Sequence, residues 1–328
     1  MKEIPIVSRS VGIVGSGPAG LSAALWLKNL GLEPWIIDSG GLPGGMLNVN
    51  FLGNNWVPGH TDLTGTALAQ RFLAHVQSSE IPIRCNTCLG DVSGNLGALV
   101  IGLEDKQTGQ IENAACSALL LATGTRYRGE EILSSLPGFS LISPDRLFCG
   151  PYAFQGLPKC AGLRILIVGG GDNAFENARL LADVGAEVHL VSRSVPRAQQ
   201  RLCAAVEQAV AAGQCHLYLE SSPLSFSQQK NGIEVSLQTE TSSVAVAVDR
   251  IHVLAGYLPN TQGFSGLPEN IYQDTKGYWI VDSMARTNVP GLYAAGDVCN
   301  PIFPSVVSAI AQGALAAKTI ELDLRTLQ

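Results

Sequence analysis

Residues 11–38 read VGIVGSGPAGLSAALWLKNLGLEPWIID, and this stretch decides the fold. Val11–Val14 is a short apolar run, and Gly15-Ser16-Gly17-Pro18-Ala19-Gly20 follows at once. The spacing then predicts a helix from Leu21 to Leu30, stopped by Gly31 in the position where helices turn left-handed. A second apolar run, Pro34–Ile37, ends at Asp38, 18 residues beyond Gly20. Strand, Gly-x-Gly-x-x-Gly, helix, strand and acid is the order of a dinucleotide-binding βαβ unit. Gly15 allows the tight turn, Gly17 lets backbone approach a pyrophosphate, and Gly20 lets helix pack on sheet. The helix start offers free N–H groups to phosphate, and Asp38 offers an acceptor to a ribose hydroxyl.

The device recurs 154 residues on. Arg164–Val168 leads into Gly169-Gly170-Gly171-Asp172-Asn173-Ala174, a helical stretch to Val184, Gly185, and a strand Val188–Val191. Here no acid ends the second strand; Ser192-Arg193-Ser194 stands there, with Arg197 beyond. Arginine there meets a 2′-phosphate, which favours NADP over NAD. A third signal, Gly291 to Val298, runs a strand into Gly296-Asp297 ahead of a helical stretch from Ser305 to Ile320. Alone it reads as strand, turn and helix with an acid at the N-terminal side. The stretch Arg197–Ala212 reads as an amphipathic helix of the second domain.

Composition agrees with an α/β enzyme. The chain has 328 residues, enough for about two domains. Hydrophobic residues make up 46% and charged residues 15%, with 36 Gly and 17 Pro. That excludes disorder and long coiled coils. The net charge of −6 argues against nucleic acid as a partner. Mean hydropathy is +0.21, spread over short segments, and no run reaches the ~18 apolar residues of a membrane span. Met1–Ser10 lacks the apolar core of a secretory signal, so the expected location is cytoplasmic.

Together the motifs resemble the low-molecular-weight thioredoxin reductase family. The residues that carry the resemblance are Gly15–Gly20, Gly44-Gly45-Met46-Leu47, Asn55-Trp56-Val57-Pro58-Gly59, Ala122-Thr123-Gly124, Gly169–Ala174, Tyr257-Leu258-Pro259-Asn260 and Ala295-Gly296-Asp297. The resemblance implies an α/β fold of two Rossmann-like three-layer domains. A second dinucleotide-binding domain, residues 127–250, is inserted into a split FAD domain of residues 1–126 and 251–328. Gly15, Gly17, Pro18, Ala19, Gly20 and Asp38 would hold the FAD adenosine and pyrophosphate. Gly45, Met46, Leu47, Asn55, Ala122, Thr123, Gly124, Gly296 and Asp297 would line the rest of the FAD site. Gly169, Gly171, Asp172, Asn173, Ala174, Ser192, Arg193 and Arg197 would hold NAD(P)H or a second FAD. Family members are usually homodimers.

The chain departs from that family in three places. Thioredoxin reductases carry a Cys-x-x-Cys that relays electrons from flavin to thioredoxin; here Cys149 takes the first position, Tyr152 the second, and Ala153 the place of the usual acid. Of the two adjacent arginines that meet the 2′-phosphate, one is missing. The Arg-Gln-Ala that meets the flavin appears as Pro304-Ser305-Val306. Three readings follow. The first is an FAD-dependent thiol/disulfide oxidoreductase using a non-standard thiol among Cys149, Cys299, Cys85 and Cys88, with two flavins as in the diflavin-linked disulfide oxidoreductases, or with NAD(P)H. The second is an NAD(P)H:FAD reductase of the ferredoxin–NADP reductase type with no thiol relay. The third is a non-catalytic flavoprotein sensor. A thioredoxin-like or ferredoxin-like protein is the expected partner.

Eight Cys in this length do not make a disulfide scaffold. Cys160 is a candidate bridge partner for Cys149 across a short loop, and Cys299 follows the Gly-Asp motif. Cys85-Asn86-Thr87-Cys88 is the one Cys-x-x-Cys, but it sits where a strand is expected, without the helix terminus that lowers thiol pKa. His60, His75, His189, His216 and His252 are scattered, with no spacing that suggests a metal site.

Overall fold

The computed structural model describes residues 9–150, 157–230, 232–262, 264, 266–268 and 270–327. The chain forms two compact units, Met1–Arg126 with Leu258–Gln328, and Tyr127–Tyr257.

In the first unit the strands are β1 (Ser10–Val14), β2 (Glu33–Ile37), β3 (Gly53–Asn54), β4 (Leu63–Thr64), β5 (Ile83–Arg84), β6 (Thr87–Asn95), β7 (Ala98–Asp105), β8 (Ile111–Cys116), β9 (Ala118–Leu121) and β20 (Leu292–Ala294). The helices are α1 (Pro18–Asn29), α2 (Gly65–Ser78) and α5 (Val306–Arg325). Five strands make a parallel sheet in the order β20-β9-β1-β2-β5. Alternation along the strands explains their unbroken apolar runs. Val11, Ile13, Ile36, Ala118 and Leu120 pack with α1 and α5, whereas Val14, Ile37, Leu119 and Leu121 face the antiparallel sheet β6-β7-β8. A strand buried on both faces has no polar side to show. Truncating such a residue, Leu120→Ala for example, costs about 2–5 kcal/mol.

Pro18 opens α1 three residues earlier than the apolar pattern predicts, because proline suits the first helical turn, where its missing N–H is not needed. The helix ends at Asn29, and Gly31 takes φ +81° as expected. α5 packs so close to α1 that a Cβ on Gly313 would collide with the Ala19 carbonyl. Its reciprocal Ser305–Ser308 cap starts it at Val306, and it runs to Arg325, five residues beyond the expected end.

The second unit repeats the plan. Its strands are β11 (Leu147–Cys149), β12 (Arg164–Val168), β13 (Glu187–Val191), β14 (Cys215–Tyr218), β15 (Ser222–Gln229), β16 (Gly232–Gln238), β17 (Ser243–Val248) and β18 (Arg250–Val253). The helices are α3 (Asp172–Asp183) and α4 (Gln200–Ala211), the latter shorter than the stretch read as amphipathic. The parallel order is β11-β18-β12-β13-β14, with β15-β16-β17 as the antiparallel layer. Ile165, Ile167, Val188 and Leu190 pack on α3 and α4; Leu166, Val168, Val191, Ile251 and Val253 pack on the antiparallel layer. The chain passes between the units in two short strands, β10 (Thr125–Tyr127) and β19 (Tyr257–Pro259).

Candidate functional site

The first cradle lies at the carboxyl end of β1. Gly15 holds φ +106°, and a Cβ there would collide with the Ala122 carbonyl. A Cβ on Gly20 would collide with the Gly15 carbonyl. Among the described residues, nothing lies within 4 Å of the place a Cβ would take on Gly17. The outer glycines are therefore consumed by packing, and the middle one faces open space. Gly17 is the N-cap of α1, no side chain caps the helix, and no acid stands in its first turn. Such a terminus presents N–H groups to an anion.

Loops close around this turn. Asp38 accepts hydrogen bonds from the Ser16 N–H at 2.8 Å, from the Ser16 hydroxyl, and from the Gly40 N–H at 2.8 Å. The Gly44 N–H donates to the Ser16 carbonyl at 3.1 Å, bringing the short helix Gly45–Val49 beside the cradle. A Cβ on Gly45 would lie 3.0 Å from Gly17 Cα. Met46 is half-buried, and Leu47 is buried with Leu68 and Ala69 of α2. Thr123 donates to the Asn260 carbonyl at 2.7 Å, and the Asn260 amide donates back to the Thr123 carbonyl at 2.9 Å. That exchange holds the Ala122-Thr123-Gly124 turn. Asn55 is exposed, its carbonyl oxygen accepting from the Asp62 N–H at 3.1 Å.

Asp297 is the chemically distinctive group. Its Oδ1 is buried with no hydrogen-bond partner among the described residues. Burial pushes the carboxyl up to about 6. A buried acceptor without a donor is costly, and native structures keep such groups where a ligand or water completes them. Beside it, the Gly296 N–H donates to Gln312 Oε1 at 2.8 Å. Gln312, on α5, escaped the sequence reading because only the fold brings that helix to the Gly-Asp turn. Ser305 and Val306 sit at the start of α5, where Ser305 is spent on the cap.

The second cradle follows the first. A Cβ on Gly169 would collide with the Leu254 carbonyl, and one on Gly170 with the Ser192 hydroxyl. For Gly171, the N-cap of α3, a Cβ would meet nothing within 4 Å among the described residues. Ala174 replaces the third glycine and is fully buried. Asp172, in the first turn of α3, accepts from the Gln199 N–H and side-chain amide, both at 2.8 Å. With the Arg197 N–H donating to the Gly170 carbonyl at 2.8 Å, this pins residues 192–199 beside the cradle. Gln199 had no sequence signal. Asn173 donates to the Tyr257 hydroxyl at 2.6 Å. Ser192 is buried and donates to the Ser194 carbonyl at 2.8 Å. Arg193 and Arg197 are exposed, and neither has an acidic partner among the described residues.

All eight cysteines are free thiols. Cys149 ends β11, where burial and then the charges of Glu130 and Glu131 push its pKa up to about 11. Cys299 is pushed up to about 12 by burial and then by Asp297. Burial and Asp38 also raise Cys85. Cys85 lies between β5 and β6, and Cys88 lies in β6. The Cys149–Cys160 bridge is overturned: Cys160 packs with the α3–α4 core, Cys149 with the core on the other face of the same sheet. Tyr152 and Ala153 lie outside the described residues.

A family model described as pyridine nucleotide-disulphide oxidoreductase matches residues 9–313. A thioredoxin reductase of Buchnera aphidicola is 26% identical over 336 aligned positions, covering 96% of this chain and 97% of that protein. A glucosaminate ammonia-lyase of Pseudomonas fluorescens is 29% identical, covering 96% of each. The crystal structure of T. acidophilum thioredoxin reductase superposes with a TM-score of 0.80 at 22% identity, covering 96% of this chain and 99% of that one. That likeness carries the fold. No helix among the described residues is long and apolar enough to cross a membrane.

Proposed function

This chain belongs to the pyridine nucleotide-disulphide oxidoreductase family as a thioredoxin reductase-like, flavin-dependent oxidoreductase, and within that family we propose an NADPH-dependent FAD reductase without a thiol relay of its own. The observation that carries the proposal is the doubled cradle, each with an open middle glycine at an uncapped helix start. FAD fits the first. Asp297 offers a buried acceptor lacking a donor, which suits a ribityl hydroxyl, and Asp38 stands at the end of β2 for the adenosine ribose. NADPH fits the second. β13 ends without the acid a flavin's ribose would use, and Arg193 and Arg197 offer two uncommitted guanidinium groups to a 2′-phosphate.

FAD, when bound, supplies the two-electron centre that a pyridine nucleotide can reduce. The protein's part is binding and orientation. α1 and α3 direct N–H groups at pyrophosphate, the Thr123–Asn260 pair fixes the turn beneath the first ligand, and the Asp172–Gln199 bonds hold the arginine-bearing loop in register. The thiol relay is the weaker reading. A relay thiol reacts as the thiolate, and Cys149 and Cys299 are held protonated at neutral pH. The acceptor is then a one-electron carrier of the ferredoxin class.

The test is flavin stoichiometry followed by anaerobic bleaching. The expected result is one FAD per chain, reduced promptly by NADPH and slowly by NADH. Two FAD per chain would place a flavin in the second unit and sink the NADPH assignment. No bleaching by either nucleotide would favour the sensor reading, and loss of turnover in Cys149→Ser would restore the thiol relay.

A further inference from the structure

The second unit brings together three side chains for which the sequence carries no metal-site spacing. His189 and His216 stand directly opposite each other on the neighbouring parallel strands β13 and β14. Glu187 lies two residues before His189, so it shares that face of the sheet. The three donor atoms all lie within 4.8 Å of one another. Both histidine Nε2 atoms are 3.5 Å from Glu187 Oε1. We propose that Glu187, His189 and His216 form a binding site for a divalent transition-metal ion of the zinc class.

Two imidazoles and a carboxylate are a donor set that zinc takes in tetrahedral sites. With bonds of about 2.0–2.2 Å, tetrahedral geometry separates ligand atoms by roughly 3.4 Å. The two 3.5 Å spacings to Glu187 match that edge. His189 is buried and already oriented, with the Tyr218 hydroxyl 3.3 Å from Nδ1 and Nε2 turned to Glu187. An outer partner on the second ring nitrogen is a usual feature of metal-binding histidines.

His216 is the movable ligand. Its ring stacks on His189 at 4.8 Å and 14°, so it must swing off the stack to aim its lone pair at a shared ion. Its side chain is 48% exposed, which leaves room for that motion and a solvent-facing fourth position. The nearby Arg164 guanidinium donates to Asp249 at 2.8 Å, an ion pair that limits its repulsion of a cation. Glu187 opens β13, His189 is at its centre and His216 is second in β14, whereas the Gly169–Ala174 cradle follows the carboxyl end of the parallel β12. The ion therefore does not take part in nucleotide binding; it cross-links two strands of the sheet.

The experiment uses untagged, flavin-loaded protein stripped with a chelator and titrated with Zn²⁺ against a chromophoric indicator. The expected result is one micromolar site per chain, weakened at least about tenfold by Glu187→Gln and by His216→Ala. Far-UV circular dichroism, unchanged in both variants, checks folding. Co²⁺ in the same site should show ligand-field absorption without a thiolate charge-transfer band. Absence of micromolar binding, binding by either variant as tight as that of the wild type, or a thiolate band from the free cysteines would each overturn the proposal.

Discussion

Replacing Asp297 by asparagine should strengthen the apoprotein and weaken its hold on FAD. The carboxyl rises from 3.8 to about 6 because burial disfavours its charge. At 1.36 kcal/mol per pKa unit, that displacement is worth about 3 kcal/mol. The sign follows from proton counting. The folded form holds this proton more tightly than the unfolded form, so the contribution is fully present below pH 3.8 and is lost as pH rises through about 6. Asparagine has nearly the same shape and no charge to desolvate. At pH 7.5 the Asp297→Asn apoprotein should therefore gain up to about 3 kcal/mol in urea unfolding, and the difference from wild type should vanish toward pH 4. A hydrogen bond from a ligand hydroxyl to a carboxylate contributes about 1.5–3 kcal/mol, so FAD affinity should fall roughly 10- to 150-fold. Titration of apoprotein with FAD, followed by quenching of flavin fluorescence, reads the second effect. A variant that unfolds at the wild-type urea concentration at every pH and binds FAD equally well would refute the reasoning.

Gly17→Ala and Gly171→Ala should leave the melting temperature of the apoprotein nearly unchanged, since each new methyl meets nothing within 4 Å, yet each should impair its own nucleotide: FAD retention for the first, NADPH bleaching for the second. Arg193→Ala together with Arg197→Ala should raise the KM for NADPH about tenfold or more while NADH is little affected, a split read by steady-state kinetics. Burial, aided by the Arg250 charge, pushes His252 down to about 3, with neither ring nitrogen partnered among the described residues. Its neutral form stabilises fully above the ordinary histidine value near 6.5, and that stability is lost as pH falls toward 3; the loss at pH 5 is about 2 kcal/mol, and His252→Leu should flatten the urea midpoint over this range.

The sequence made the cradles legible because their determinants are local. A glycine turn, its helix and the strand before it lie within twenty residues, and their steric demands fall on the residues themselves. Asp38 was equally readable from its distance to Gly20. What required the fold was every partner supplied from far along the chain. Gln312 reaches Gly296 from α5, Asn260 locks Thr123, and Gln199 occupies Asp172. His216 meets His189 only because β13 and β14 pair in one register; a one-residue slip would turn the two rings to opposite faces. Opposite packing faces also decide Cys149 and Cys160, which eleven residues of sequence make look close.

The insertion of residues 127–257 within the first unit has a consequence for how the protein is made. The second unit is contiguous, so it can close its cores as soon as its own residues leave the ribosome. The first unit cannot. β20, which covers the edge of β9, and α5, which covers α1, are made only after the inserted unit. Asp297 and Gln312 come with them. The site proposed for FAD is therefore assembled only after the inserted unit is already able to fold, and until α5 is made α1 leaves its small-residue face uncovered.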